Sequence, residues 1–247
     1  MRGHPLMVAV RHDDGGINNE TIVRGILNAR GIKGSFAVVS SFNGITTGGY
    51  DHIDYAEMRA MRAEGHTFNN HSKTHQLAVL PTASQAACYT EINDGRQALV
   101  DNGCSDGISE DIFIPPYGEW GTNYQLAIAQ ANVKMTVGTV GTGGLTPQGT
   151  SNAILEPQFQ VGTAYIIRTT TTTVVNNIIN SCINKNVERN GGYLILTYHH
   201  VVASPAAVDI ERSTANYTTD MDNLAAAIAA GNAVSATLAD IWERFRA

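Results

Sequence analysis

Hydrophobic residues along this chain fall into short runs that alternate with longer segments of helical periodicity. Apolar runs predict strands over residues 7–10, 36–39, 111–114, 133–137, 165–167 and 193–198, and a further short strand over 65–70. The segments around them predict helices over 20–30, 54–64, 84–100, 123–131, 174–190, 221–230 and 238–245. This alternation is typical of an α/β fold with a mostly parallel sheet. A chain of 247 residues can form one such domain, and we expect a single domain over 1–247.

Two adjacent carboxylates follow the first predicted strand. Asp13 and Asp14 precede Gly15 and Gly16, whose conformational freedom permits a turn into the next helix. Carboxylates in this position repel one another, and a chain tolerates them when one binds a cation and the other handles protons. The alternative is a surface turn, since Asp-Asp-Gly is common turn chemistry.

Two histidines spaced four residues apart favour the cation. His71 and His75 follow the strand predicted over 65–70, and this spacing puts two side chains on one face of a helical turn. Two imidazoles and one carboxylate are a typical ligand set for a catalytic divalent ion, with Zn–N bonds of about 2.0–2.1 Å and one position left for water. His66, alone at the start of the strand, is interpreted as structural.

In their order along the chain, these fragments resemble the motifs of the polysaccharide deacetylases of the NodB-homology type, also called carbohydrate esterase family 4. The resemblance of Asp13-Asp14-Gly15 to the family's Asp-Asp-Gly implies a general base at Asp13 and a metal ligand at Asp14. The resemblance of residues 71–75 to the family's His-Ser/Thr-x-x-His implies metal ligands at His71 and His75.

Two later fragments extend the resemblance over nearly the whole chain. Pro116-Tyr117-Gly118 is similar to a wall motif of the family, which implies that the backbone N–H of Tyr117 helps to hold the oxyanion. The apolar strand before His199 is similar to the family's last motif and implies that His199 is the general acid. His200, expected on the opposite strand face, is the reserve choice. Three aromatic side chains are predicted either to stack on sugar rings or to pack in the core: Tyr117, Trp120 and Tyr198.

Two departures from the family pattern concern one supporting ion pair. Ile114 stands where the family has an arginine that contacts the base, and the family's Asp-x-x-Asp-Trp motif is missing. Because losing both partners can be nearly neutral, the paired absence indicates a variant second layer around the site. Arg11, on the same strand face as Asp13, is a candidate replacement that would orient the base; the alternative is that it points to solvent.

The resemblance implies a distorted (β/α) barrel of about seven strands and a metal-dependent hydrolase that removes acetyl groups from a polysaccharide. An N-acetyl amino sugar polymer is favoured, with an O-acetyl ester as the other option. Zinc is the expected ion, with cobalt, nickel and manganese as alternatives. A carbohydrate-binding or structural module that has lost turnover, and a metal-independent relative acting on cyclic amides, are the competing hypotheses.

Composition narrows the partners. The formal charge is −6, from 16 basic and 22 acidic residues, and no basic cluster interleaved with aromatics suggests nucleic acid. We expect no membrane span, since no apolar run approaches about 18 residues, and no signal peptide is evident. The low charged fraction suggests an extracellular, cell-surface or virion-surface protein. Cys88, Cys104 and Cys182 allow one disulfide or three buried thiols, and the oligomeric state is left open.

Overall fold

The structure is a computed structural model that describes residues 4–76, 83–118, 122–138, 159–161, 163–189, 191–206 and 208–246. Within these ranges, nine strands form one parallel sheet: β1 (Leu6–His12), β2 (Gly34–Val38), β5 (Thr67–Asn70), β6 (Ile112–Phe113), β7 (Met135–Val137), β8 (Phe159–Val161), β9 (Ala164–Tyr165), β10 (Tyr193–Tyr198) and β13 (Ala233–Ala236). Two short pairs lie apart from this sheet: β3 (Thr46–Thr47) with β4 (Tyr50–Asp51), and β11 (His200–Val202) with β12 (Glu211–Ser213).

The sheet curls into a half-barrel in which β1 is an interior strand. The strand order is β8-β7-β6-β5-β2-β1-β10-β9. Along one edge of β1, residues 6–9 pair with β13 and residues 10–12 pair with β2. The α/β half-barrel is therefore confirmed. Seven of its strands correspond to the predicted ones. The three-residue β8 and the β13 segment, which carries only one bulky apolar residue, Val234, were missed.

Alternation along β1 sends its side chains to two different cores. Val8 and Val10 pack in the larger core, between the sheet and the surrounding helices, whereas Ala9 packs inside the barrel with residues such as Ile114. Arg11 and Asp13 continue the face of Ala9. The sequence order of β1 therefore carries both charged groups from an apolar barrel interior to its open end.

The helices are α1 (Arg24–Asn28), α2 (Tyr55–Ala63), α3 (Gln85–Asp101), α4 (Thr122–Gln130), α5 (Thr172–Arg189), α6 (Thr214–Ala229) and α7 (Leu238–Phe245). The predicted helix over 20–30 is interrupted, because a π-helical turn, Asn19–Val23, precedes α1. Two helices begin with reciprocal capping boxes, Asp54 with Glu57 and Thr237 with Asp240, which explains why their starts were predictable from sequence.

All three cysteines are buried free thiols, so the disulfide alternative is wrong. Among the residues described, no helix is long and apolar enough to cross a membrane.

Candidate active site

The sequence-predicted site residues lie at the carboxyl end of the half-barrel. Asp13 and Asp14 follow β1, His71 and His75 follow β5, Tyr117 follows β6 and His199 follows β10. Parallel strands point their carboxyl ends to the same edge, which is where α/β proteins place their ligands. These side chains line one open cavity of about 710 Å³.

Three ligand atoms converge at the base of this cavity. Asp14 Oδ1 lies 3.3 Å from His71 Nε2 and 3.4 Å from His75 Nε2, and the three donor atoms all lie within 4.8 Å of one another. Bonds of about 2.0–2.1 Å at a tetrahedral angle would separate neighbouring ligand atoms by about 3.3–3.4 Å. Asp14 Oδ1 is buried and has no hydrogen-bond partner. The residues therefore fit a shared divalent cation.

The His71 ring is oriented for this purpose. Its Nδ1 lies 2.7 Å from the carbonyl oxygen of Ile114, so the Nδ1–H donates there and the Nε2 lone pair faces Asp14. Burial, together with the adjacent His71, lowers the pKa of His75 to about 4, so its imidazole is neutral at pH 7. Burial opposes ionisation of Asp14, but His71, His199 and His75 outweigh it and hold the pKa of this carboxyl below its usual range.

The segment that carries the two histidines is braced by α3. The Asn70 side chain donates to the carbonyl of Ile92 at 2.8 Å, and the backbone N–H of Lys73 donates to the carbonyl of Glu91 at 3.0 Å. Gly95 makes this approach feasible, because a Cβ there would lie 2.4 Å from Asn70 Oδ1 and 2.9 Å from the Ser72 carbonyl carbon.

Backbone strain is concentrated at the same place. Of the five non-glycine residues described with positive φ, four are in the site: Asp14 (70°), Ser72 (71°), His75 (60°) and Tyr117 (57°). Such conformations cost about 1–3 kcal/mol each and persist where the surrounding structure enforces them. The fold therefore holds these groups in place at a cost to its own stability.

Arg11 contacts the predicted base directly. Its Nε donates to Asp13 Oδ1 at 2.6 Å and its Nη2 to Asp13 Oδ2 at 2.5 Å, while Nη1 donates to the carbonyl of Val137 at 3.2 Å. Arg11 is only 1 % exposed, so the solvent-facing alternative is wrong. Burial raises the pKa of the Asp13 carboxyl, but the Arg11 guanidinium outweighs it and holds this pKa below its ordinary value. Ile114, which stands at the position of the family's arginine, is buried in the barrel interior.

The two consecutive histidines both reach the cavity. His199 Nε2 lies 4.0 Å from Asp13 Oδ2, and His200 Nε2 lies 4.0 Å from Asp14 Oδ2. The expectation that His200 points to the opposite face is therefore wrong. The reason is local: β10 ends at Tyr198 and β11 begins at His200, so the alternation of one continuous strand does not apply across His199.

The predicted sugar-stacking aromatics divide. Tyr117 is 63 % exposed at the cavity rim, with its ring 4.6 Å from that of His75. Tyr198 does not line the cavity: it is fully buried, stacks on His12 at 5.5 Å and directs its hydroxyl to Asp220. The platform interpretation of Tyr198 is therefore wrong and the core interpretation holds. Trp120 lies outside the described residues.

Comparisons with known proteins agree with this geometry. A family model described as "Polysaccharide deacetylase" matches residues 2–136. The chain belongs to the polysaccharide deacetylase family. The matched region includes Asp13, Asp14, His71, His75 and Tyr117, whereas His199 follows it. A search of curated proteins finds no match for this deacetylase sequence.

Solved structures of low sequence identity share the fold of this chain. A family 4 acetyl xylan esterase from Clostridium thermocellum, in complex with a cobalt ion, is 20 % identical over 96 % of this chain and 91 % of its own, with a TM-score of 0.57. A family 4 carbohydrate esterase from Streptomyces lividans, in complex with acetate, is 16 % identical over 97 % and 94 %, with a TM-score of 0.57. The Bc1960 peptidoglycan N-acetylglucosamine deacetylase is 14 % identical over 96 % and 89 %, with a TM-score of 0.58.

Several residues that line the deacetylase cavity were missed from sequence. Tyr165 meets the His199 ring edge to face at 5.2 Å, and Tyr50 stacks on His200 at 3.6 Å. His52 and Phe42 complete that side of the wall. None of these stands in a motif. Tyr165 lies in a predicted strand, but nothing in the sequence shows that its side chain faces the cavity, and β3 and β4 are too short to register as strands.

Proposed function

We propose that this chain is a divalent-metal-dependent hydrolase that removes acetyl groups from a polysaccharide. The observation that carries the proposal is the convergence of Asp14, His71 and His75 on one point, next to an Asp13 carboxylate fixed by Arg11. A ligand triad beside an ionised carboxylate and an imidazole is the equipment of metal-assisted acyl hydrolysis.

Zinc suits this donor set best, because two imidazoles and one carboxylate at tetrahedral separations are typical of catalytic zinc sites. Cobalt, nickel and manganese are the alternatives. When bound, such an ion supplies Lewis acidity that polarises an acyl oxygen and makes a water easier to deprotonate. His71 would hold it from the buried side of the cavity, and Asp14 and His75, which are both partly exposed, from the open side.

Asp13 accepts the proton of the attacking water in this proposal. Its depressed pKa keeps the carboxylate ionised at neutral pH, and the two Arg11 hydrogen bonds fix its plane. A base held in one orientation loses less entropy on reaching the transition state than a freely rotating one. Arg11 thus acts through Asp13 and restores the support that Ile114 cannot give.

His199 and Tyr117, which both line the cavity, complete the proposed chemistry. In this proposal the backbone N–H of Tyr117 donates to the oxyanion that forms when water adds to the acyl carbon. His199 protonates the departing amine or alcohol, from a position 4.0 Å from Asp13. The positive φ of Tyr117 keeps its peptide group at the rim, and its exposed ring offers a face on which a sugar can stack.

The proposed substrate is a polysaccharide carrying N-acetyl amino sugars, with O-acetyl esters as the second option. A fold neighbour of each kind is known, a peptidoglycan N-acetylglucosamine deacetylase and an acetyl xylan esterase. The cavity is open enough to admit a sugar within a longer chain. Such a substrate suits an extracellular, cell-surface or virion-surface location.

The test is acetate release from matched substrates. Purified protein should release acetate from chito-oligosaccharides or acetylated xylan, lose this activity to a chelator and regain it on addition of Zn²⁺ or Co²⁺. Asp13→Asn should keep the metal and lose turnover. Tight glycan binding without acetate release from any N- or O-acetylated substrate would replace the hydrolase with a carbohydrate-binding module.

A further inference from the structure

His200 faces Oδ2 of Asp14, the carboxylate oxygen that the imidazoles of His71 and His75 do not approach most closely. His71 and His75 approach Oδ1 most closely, whereas His200 Nε2 is 4.0 Å from Oδ2. This separation is about 1 Å beyond hydrogen-bond range, so the two groups face one another without a hydrogen bond in this structure, and a shift of about 1 Å of the His200 ring toward Asp14 would form one. A neutral imidazole has one N–H, and Nδ1 of His200 is buried without a partner. The proton is therefore best placed on Nε2, toward the carboxylate.

The His200 ring is held rigidly. Tyr50 stacks on it with a centroid separation of 3.6 Å and an interplanar angle of 5°. On another side, Gly16 packs so closely that a Cβ there would lie 2.6 Å from His200 Nδ1. The ring therefore has little freedom to turn away from Asp14.

Tyr50 is itself anchored to the strand opposite His200. Its hydroxyl donates to Glu211 Oε1 at 2.9 Å, and the second Glu211 oxygen accepts the backbone N–H of Ala206 at 2.5 Å. Glu211 is the register partner of His200 in the β11–β12 pair. Tyr50, His200 and Glu211 are therefore linked to one another by stacking, a hydrogen bond and strand pairing beside the proposed metal site.

We propose that His200 is a positioning residue for Asp14, with the Tyr50 ring fixing its orientation. By holding Oδ2, its Nε2–H keeps Oδ1 turned toward His71 and His75. The inference rests on the proposed metal dependence and adds a support that the ligand triad alone does not contain. Hydrogen-bond partners of metal-binding carboxylates commonly change metal affinity by about 10–100-fold.

The experiment is a Co²⁺ titration of the metal-free protein, read by competition with a chromophoric chelator and by the visible spectrum of bound Co²⁺. We expect His200→Leu and Tyr50→Ala to bind Co²⁺ about 10–100-fold more weakly, with an altered spectrum. His200→Gln, which offers an N–H near the position of Nε2, and Tyr50→Phe, which keeps the ring, should stay within about threefold of the wild type. His4→Leu, at an exposed histidine away from the cavity, is the matched control. Circular dichroism checks that each variant is folded.

Unchanged affinity and spectrum in folded His200→Leu would overturn the positioning role alone. Equal weakening in His200→Leu and His200→Gln would also overturn it, because the N–H donor would then be irrelevant. If the wild-type protein binds no Co²⁺, the proposed metal dependence itself fails, and the role of His200 fails with it.

Discussion

Replacing Arg11 by methionine should lower the free energy of unfolding by an amount that can be estimated from the buried ion pair, and should impair Asp13 as the base. Methionine retains much of the buried volume but removes both charge-assisted hydrogen bonds to Asp13, which is 2 % exposed. Removing one partner of a buried ion pair costs about 3–5 kcal/mol, since the other charge stays buried without compensation. We expect a loss of this size in the free energy of unfolding, measured by urea denaturation of the metal-free protein.

Variants of Asp13 distinguish the energy of the Arg11–Asp13 ion pair from the packing of the Arg11 side chain. Asp13→Asn alone strands Arg11, whereas the double variant Arg11→Met/Asp13→Asn removes both charges and should lose less than the sum of the single changes. Arg30→Met is the matched control, because Arg30 pairs with Asp222 at the surface, where an ion pair contributes about 0–1 kcal/mol.

The same substitution should move the pH dependence of turnover. Arg11 holds the pKa of Asp13 down against burial, so without Arg11 the burial effect is left and the pKa rises. The acidic limb of the kcat profile should then shift to higher pH. A loss below about 1 kcal/mol in Arg11→Met, with additive single changes and an unmoved acidic limb, would refute the role of Arg11.

Three further outcomes test separate parts of the structure. His199→Ala should retain bound metal and lose turnover, and an active His199→Ala beside a His200→Ala that is inactive even when saturated with metal would transfer the acid role to His200. His66, whose Nδ1 accepts the Gly34 N–H, has its pKa lowered to about 4 by burial. The neutral ring therefore contributes fully to the unfolding free energy above pH 6.5, and this contribution is lost as the pH falls toward 4. The contribution of His66 to the unfolding free energy should therefore fall by about 2 kcal/mol between pH 7 and 5, so the fall measured by urea denaturation should be smaller by about this amount in His66→Asn. Gly95→Ala should destabilise the protein by about 1–3 kcal/mol and weaken metal binding, whereas equal metal affinity would show that α3 does not brace the ligand segment.

The strands and the convergence of Asp14, His71 and His75 were predictable because their signals are local. Apolar runs mark buried parallel strands, and polar residues directly after two such runs must meet at one sheet edge. The Arg11–Asp13 contact was also within reach, since period-two alternation puts both on one face. In each case a few neighbouring residues carry the information.

The cavity wall formed by Tyr50 and His200 could not be predicted from local patterns in the same way. Tyr50 and Glu211 are separated by 161 positions, and their contact depends on how β3, β4 and β12 are brought together. Tyr198 was misjudged because a single aromatic beside a motif does not reveal that a histidine and a buried aspartate already occupy its two sides. His200 was misjudged because a one-residue break between strands reverses the facing of every later side chain.

Metal content measured by elemental analysis after exhaustive dialysis tests the central claim most directly. We expect one zinc ion per chain in the wild-type protein and in Asp13→Asn, and none in His71→Ala or His75→Ala, because two remaining protein ligands rarely retain a catalytic ion. Full occupancy in either histidine variant, or a wild-type protein that releases acetate with no bound metal, would contradict the assignment of Asp14, His71 and His75 as the site on which deacetylation depends.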